Sequence, residues 1–302
     1  MTGRRMTDRG MTRGLRLRQA IDAATAELAE AGIDSPRVDA ELLAAHLTGS
    51  DRGRLALIDA PDDDFFSRYD AVIAARSHRI PLQHITGTAA FGPLQLRVGP
   101  GVFIPRPETE ALLEWALAQP LVPSAVIVDL CTGSGALAIA MATHWPQARV
   151  IAVDDDDTAV EYARRNAEST NADSTRVRLV QADVTAAGLF PELAGSVDLV
   201  IANPPYIPAG AELEPEVAQH DPAHALFGGA DGMAVIEPIV AHAGSWLKPG
   251  GLLAVEHDDT TSAQTVELIS GTGLFTAVTA HRDLTGRPRF VTARRTDQEE
   301  PA

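Results

Sequence analysis

Between residues 125 and 256, short apolar runs alternate with stretches of helical pattern, and this alternation restricts the fold more than any other feature. The runs lie at 125–130, 149–154, 177–180, 197–202 and 251–256. Helical residues follow the first run as far as His144, and 158–168 follows the second. Strands separated by helices assemble into a largely parallel, doubly wound sheet, because each helix carries the chain back to start the next strand. The end of the chain breaks the pattern. Residues 274–280 and 288–293 are strand-like with only a turn at Thr285-Gly286 between them, which predicts an antiparallel hairpin on the sheet edge. The expected class is therefore α/β, a doubly wound sheet with a small helical domain before it.

That helical domain occupies 15–88. Leu17, Ile21, Ala24 and Leu28 recur at helical spacing, and Gly32 is a plausible stop. Ser35 precedes a second apolar-periodic run over 38–47, and a third helix is predicted over 62–77. The expected boundaries are a disordered leader at 1–14, the bundle at 15–88, a linker at 89–106, the catalytic domain at 107–296 and a tail at 297–302. The linker is read as a hairpin: Phe91 to Val98 alternates in part, Gly99-Pro100-Gly101 marks a turn, and Val102-Phe103-Ile104 follows. Arg106-Pro107-Glu108-Thr109-Glu110 then opens a helix, with Pro107 near its first turn. Met1, Met6 and Met11 are each candidate start residues.

Charge excludes some functions. The net charge is −16, the wrong sign for bulk attraction to phosphates, so direct nucleic-acid binding is not expected. Cys131 is the single cysteine, which rules out an internal disulfide framework or a cysteine-based metal site. No apolar run reaches the roughly 18–20 residues of a membrane span. The expectation is a cytoplasmic monomer with no membrane contact and no metal.

In a doubly wound sheet, ligands bind beyond the carboxyl ends of the strands, where strand order reverses. The first strand ends in Asp129-Leu130-Cys131-Thr132-Gly133-Ser134-Gly135, a glycine turn that lets backbone approach a ligand. The second ends in Asp154, 25 residues after Asp129, where a carboxylate suits the two hydroxyls of a ribose. Asp155 to Asp157 is read as helix capping and solvated charge. Asp183 follows the third strand, placed to accept from an adenine amino group. These features fit any adenosine cofactor. Two points favour S-adenosylmethionine: Gly133-Ser134-Gly135-Ala136-Leu137 lacks the third glycine of a dinucleotide turn, and the fourth strand ends in a group suited to methyl transfer.

That group is Asn203-Pro204-Pro205-Tyr206. A planar nitrogen conjugated to a carbonyl or a ring is a poor nucleophile, because its lone pair is delocalised. Two acceptors aimed at its two hydrogens, the Asn203 side-chain oxygen and the Pro204 carbonyl, would make it more tetrahedral. Tandem prolines stiffen the loop, and Tyr206 offers a flat face for stacking. The work is orientation and electrostatic stabilisation. On these residues alone an amide and an exocyclic amine remain equally open. His220 and His224 are four apart, but Pro222 between them argues for a loop rather than a helical metal pair. Glu237, His242 and Trp246 are read as helix surface and packing, and Cys131 as a small loop residue.

Several segments together resemble the peptide chain release factor protein-(glutamine-N5) methyltransferases, the PrmC/HemK family. They are Pro81 to Gly87, Phe103-Ile104-Pro105-Arg106-Pro107-Glu108-Thr109-Glu110, Asp129 to Gly135, Asn203 to Pro208, Asp221 to Gly232 and Asp283 to Arg289. The resemblance spans about 15–295. It implies a Rossmann-like class I methyltransferase sheet with an antiparallel C-terminal hairpin, and S-adenosyl-L-methionine as cofactor. It implies as partner and substrate the class-1 release factors, through the glutamine of their Gly-Gly-Gln loop. It places the cofactor loop on Cys131, Thr132, Gly133, Ser134 and Gly135, the ribose acid on Asp154, the adenine-side pair on Asp183 and Val184, and the amide clamp on Asn203 to Tyr206. Asp129 and Asn203 count with the cofactor residues, and Arg106 and Glu108 with the clamp as substrate-binding residues. Cys131 stands where the family has Gly, Val184 where many members have an aromatic residue, and Glu256-His257-Asp258-Asp259 where Glu-Ile-Gly is usual.

Two other enzymes share this chemistry. An adenine-N6 nucleic-acid methyltransferase would need a basic recognition surface, which the acidic balance opposes. A glutamine methyltransferase of a ribosomal protein is opposed by the segment matches. A catalytically silent docking protein is opposed by the intact clamp.

Overall fold

The computed structural model describes residues 4–58, 61, 64–170, 177–283 and 285–297. The chain divides into two compact units. One comprises residues up to Gly87 together with Pro215–His220, and the other Thr88–Glu214 with the residues from Asp221 onward.

The first unit contains α1 (Arg4–Glu30), α2 (Pro36–Thr48), α3 (Phe65–Ser77) and the single turn α4 (Leu82–Thr86). Leu17, Ile21, Ala24 and Leu28 do line one face of α1, and they pack with Leu43, Phe65, Tyr69 and Ile73 in one buried cluster. The Tyr69 hydroxyl is satisfied inside it by the Ala40 carbonyl at 2.9 Å. Arg76 is buried and pairs with the buried Asp39 at 2.7 Å and with Glu216 at 3.0 Å. Removing Arg76 would leave the buried Asp39 without an ion pair, at a cost of about 3–5 kcal/mol. Residues 4–14, expected to be a disordered leader, belong to α1. Residues 1–3 and most of the expected tail, 298–302, lie outside the described residues, as do positions 62 and 63 of the expected third helix.

In the second unit β1 (Thr88–Phe91) and β2 (Leu94–Arg97) form an antiparallel pair, with Phe91 opposite Leu94. This corrects the expected hairpin. The corner is the two-residue loop Gly92-Pro93, not Gly99-Pro100-Gly101, and Val102-Phe103-Ile104 is not a strand. A Gly at the first central position of a two-residue loop matches strand twist, which a longer Gly-Pro-Gly bend does not require. The pair belongs to the second unit and is not a free-standing linker.

After α5 (Thr109–Leu117) come β3 (Val126–Leu130), α6 (Ala136–His144), β4 (Arg149–Asp154), α7 (Asp157–Ser169), β5 (Val177–Gln181) and β6 (Val197–Ala202). The six-residue α8 (Pro215–His220) is the piece that groups with the first unit. Then follow α9 (Ile236–Trp246), β7 (Leu247–Glu256), α10 (Ser262–Gly271), β8 (Phe275–Arg282) and β9 (Pro288–Arg295). The sheet order is β5-β4-β3-β6-β7-β9-β8. The first five strands are mutually parallel, while β9 runs antiparallel to both β7 and β8. Strand residues alternate between two cores. Ile127, Val150, Leu199 and Ile201 face α5 and α6, whereas Val128, Ile151, Val153, Val200 and Leu253 face α9. Chain order reverses between β3 and β6, so the crevice beyond their carboxyl ends is where such a sheet accepts a ligand. Among the described residues no helix is long and apolar enough to cross a membrane.

Candidate active site

The turn after β3 is built largely from backbone. Asp129 is 1% exposed. Its Oδ2 accepts from the Thr132 hydroxyl at 2.6 Å and from the Ala138 amide at 3.1 Å, closing the turn onto α6. Burial pushes this carboxyl up to about 7, against the opposing effect of those two hydrogen bonds. Its Oδ1 is buried without a hydrogen-bond partner among the described residues. Asp154 at the end of β4 completes the loop. One carboxylate oxygen accepts from the Gly133 amide at 2.8 Å and the other from the Asp156 amide at 3.1 Å. Burial raises Asp154 to about 6, again against its two amide donors. Asp156 caps α7 by accepting from Ala159 at 2.9 Å, as the capping reading of that acidic run expects.

Gly135 starts α6 with φ +84°, and a Cβ there would lie 2.8 Å from Ile139 Cδ1 and 3.2 Å from Ala163 Cβ. Ser134 is buried, and its carbonyl accepts from the Asn166 side chain at 2.9 Å. Asn166 also brackets the backbone of Arg97, accepting at 2.7 Å and donating at 3.0 Å. Sequence reasoning passed over Asn166, an ordinary-looking residue on an amphipathic helix. Cys131 has φ +59°, which accounts physically for a glycine at this place in the family it resembles.

The pair expected on the adenine side, Asp183 and Val184, lies beyond β5. Asp183 is exposed, and its Oδ1 accepts from both the amide and the hydroxyl of Thr185, which hold it below the usual carboxylate range. Val184 is buried. Its carbonyl accepts from His242 Nε2 at 3.1 Å, and His242 stacks on Trp246 with centroids 4.7 Å apart. His242 and Trp246 therefore pack as expected, and they also anchor this loop. Glu237 is exposed.

The other wall rises from β6. Asn203 directs its Nδ2 to the Thr109 hydroxyl oxygen at 3.1 Å, which leaves its carboxamide oxygen available. Pro204 is buried, while Pro205 and Tyr206 are half-buried. The Tyr206 hydroxyl donates to Glu256 Oε1 at 2.9 Å. Burial, reinforced by Glu256, pushes the Tyr206 hydroxyl well above its ordinary value, so it remains a donor. The segment after the clamp is laced to 226–229 by backbone. Ile207 donates to Leu226 at 2.9 Å, Gly228 to Ile207 at 3.0 Å and Ala209 to Gly229 at 2.8 Å. Gly232 sits so close that a Cβ would lie 2.2 Å from the Tyr206 carbonyl oxygen.

Arg106 stacks over Phe103 at 5.0 Å and pairs with the buried Asp221. Glu108 sits at the N-terminus of α5 without making a capping hydrogen bond. His220 ends α8 and His224 lies in a separate short turn, where it faces Asp156 at 3.7 Å. Thr109 and Glu256 are the site residues that the sequence did not single out. Thr109 sits in a segment quoted for the resemblance and Glu256 in one noted as a departure from it, but nothing in their spacing points across the sheet.

Comparison with known proteins supplies the remaining observation. Residues 19–87 match the PrmC N-terminal domain, and residues 100–280 match the methyltransferase small domain. The release factor glutamine methyltransferase of Mycolicibacterium smegmatis is 68% identical over 280 residues, covering 93% of this chain and 98% of the relative. This chain belongs to the release factor glutamine methyltransferase family. The Mycobacterium tuberculosis relative of the same name is 63% identical over 283 residues, covering 92% of this chain and 91% of that one. A 4-amino-L-phenylalanine/4-methylamino-L-phenylalanine methyltransferase of Streptomyces pristinaespiralis is 40% identical over 267 residues, covering 85% of this chain and 88% of that one. The sheet order and its antiparallel end are those of the class I methyltransferase fold.

Proposed function

We propose that this chain transfers a methyl group from S-adenosyl-L-methionine to the side-chain amide nitrogen (N5) of the glutamine in the Gly-Gly-Gln motif of class-1 release factors. The observation that carries the reading is Asn203, whose amide group is turned by Thr109 so that its oxygen is left to accept. Membership of the family supplies the substrate class.

The residues after β3 and β4 fit the cofactor. Asp129 Oδ1 is a buried acceptor in need of a donor, and nothing lies within 4 Å of the place where a Gly133 Cβ would be. Asp154 uses each carboxylate oxygen for a single amide, so both retain capacity for a pair of ribose hydroxyls. Cys131, Thr132, Gly133, Ser134 and Gly135 would line the turn, with Asp183 and Val184 on the adenine side. When bound, S-adenosyl-L-methionine supplies the methyl group as a substituent of a positively charged sulfur.

The chain's own residues supply positioning. Asn203 and the Pro204 carbonyl would each accept one amide hydrogen, localising the nitrogen lone pair and stabilising the positive charge that develops there. Tyr206 would offer its ring face to the amide plane. Arg106 and Glu108 would contact the substrate beside the clamp, Arg106 held in place by its pairing with Asp221. The protein acts as a cytoplasmic monomer on a protein substrate and not on nucleic acid, in keeping with its net charge of −16.

Mass spectrometry of a release factor incubated with enzyme and cofactor tests the reading. One added methyl on the Gly-Gly-Gln peptide is expected. An unmodified peptide alongside methylated DNA, or alongside methylated 4-amino-phenylalanine, would overturn it.

A further inference from the structure

We propose that residues 221–232 form a brace that positions both substrate-facing parts of the site: Gly228 and Gly232 set the backbone of the clamp, and Asp221 sets Arg106. The proposal rests on the amide-methylation reading above. The segment is part of the family resemblance, and methyl transfer itself requires no group from it.

The side chains of the clamp rest on Thr109 and Glu256, but its backbone rests on this segment. Ile207 and Phe227 form a parallel β-bridge. Ile207 donates to the Leu226 carbonyl at 2.9 Å, and Gly228 donates back to the Ile207 carbonyl at 3.0 Å. Two glycines let the chains touch. A Cβ on Gly228 would fall on the Pro205 carbonyl oxygen and lie 2.7 Å from the Gly232 carbonyl oxygen. A Cβ on Gly232, at φ +81°, would fall on the Tyr206 carbonyl oxygen. The Pro205 ring fixes φ, and the carbonyl seated on Gly228 limits ψ. The Pro204 carbonyl belongs to the peptide just before that ring. Its direction, which the amide hydrogen must meet, is therefore inherited from the brace.

At the other end, the buried Asp221 pairs with Arg106, which stacks over Phe103 at 5.0 Å. Between the two ends the segment is stiff. Leu226 and Phe227 both donate to the Ala223 carbonyl, at 3.2 and 3.1 Å, closing a turn after Pro222. Beyond Gly228 the chain is anchored again. Ala234 donates to the Gly228 carbonyl at 2.9 Å. Asp231 accepts from the Met233 amide at 3.1 Å and from Gln264 at 3.2 Å. Met233 is buried in one cluster with Ile236 and Ile239 of α9. A segment fixed at both ends and stiff between them sets the spacing between Arg106 and the clamp. That spacing selects a substrate that meets Arg106 and places its amide in the clamp at once.

Steady-state kinetics of the full-length enzyme on a release factor test the assignment. Gly228→Ala and Gly232→Ala should each lower kcat by about 10–100-fold, because the clamp backbone must move, with KM for S-adenosyl-L-methionine within about twofold. Gly210→Ala is the control. Gly210 has φ +91° but nothing within 4 Å of its Cβ position, so the same backbone strain arises without pressure on the clamp. Its kcat should equal that of wild type, whereas a merely structural role would make the three variants alike. Asp221→Asn should raise KM for the release factor more than it lowers kcat. If Gly228→Ala and Gly232→Ala match Gly210→Ala in kcat, the assignment is overturned. An equal rise in their KM for the cofactor also overturns it. Should both fail to fold, Asp221→Asn decides, since the half-buried Arg106 can be solvated without its partner. An unchanged KM for the release factor in that variant overturns the assignment. If wild type leaves the Gly-Gly-Gln peptide unmethylated, the functional reading fails instead, and the two failures are distinguishable.

Discussion

The loop after β3 and the loop after β6 lie side by side at the carboxyl edge of one sheet, yet they are built by different means. After β3, side chains serve the backbone: Asp129 and Asp154 hold the turn through the amides of Ala138, Gly133 and Asp156. After β6, side chains hold other side chains: Asn203 rests on Thr109 and Tyr206 on Glu256. A backbone-built loop tolerates changes of side chain chemistry but not of backbone space. A side-chain-built loop tolerates neither loss nor reversal of a donor. The first suits a constant cofactor, and the second suits a substrate whose reacting atom must be aimed.

The largest expected effect breaks the comparison on the side-chain half. Asn203→Ala should reduce kcat by about 10²–10³-fold, since it removes a preorganised acceptor. Calorimetric titration should show cofactor affinity little changed. A comparable loss of cofactor binding would mean that the two loops are one unit.

Gly135→Ala tests the backbone half. The added methyl would meet Ile139 and Ala163 at a residue with φ +84°, so stability should fall by about 1–3 kcal/mol and cofactor affinity with it. Thermal melting with and without cofactor measures both. Turnover at saturating cofactor should be reduced less than in Asn203→Ala.

Stability against pH sharpens the contrast. Asp129 is raised to about 7 in the fold, so its contribution is fully present below the ordinary aspartate value and is lost as pH rises through about 7. Asp283 in the β8–β9 turn behaves oppositely. Burial alone would raise it, but donors from Thr285, Arg287 and Arg289 outweigh burial and bring it to about 2. Its contribution is present above the ordinary value and is lost as pH falls through about 2. Denaturant melts across pH should show a shallower neutral-range slope in Asp129→Asn, the remainder coming from the raised Asp154 and Glu256, and an unchanged one in Asp283→Asn.

The smallest effect is expected of Cys131→Gly. It removes left-handed strain of about 1–2 kcal/mol but adds an entropic cost of about 0.5–1 kcal/mol, for a net gain of up to about 1.5 kcal/mol. Chemical denaturation resolves this difference, and kcat should not move.

What the sequence determined by itself was whatever depends on neighbours along the chain. Apolar runs at 149–154 and 197–202 became β4 and β6 with the expected bounds, because strand periodicity is local. The glycine turn, Asp154 and Asn203 to Tyr206 were legible because each motif is contiguous and closes a strand. The Gly92-Pro93 corner was misplaced because two glycine-proline bends lie seven residues apart, and only pairing across the strands chooses between them. The rest was decided by tertiary structure. Thr109 and Asn203 are 94 residues apart, Tyr206 and Glu256 are 50 apart, and Asn166 reaches Arg97 across 69. Hydrogen bonds between such partners follow from strand order and register, which no local pattern encodes. The sequence named the residues that face the substrate, and the folded sheet supplied those that aim them.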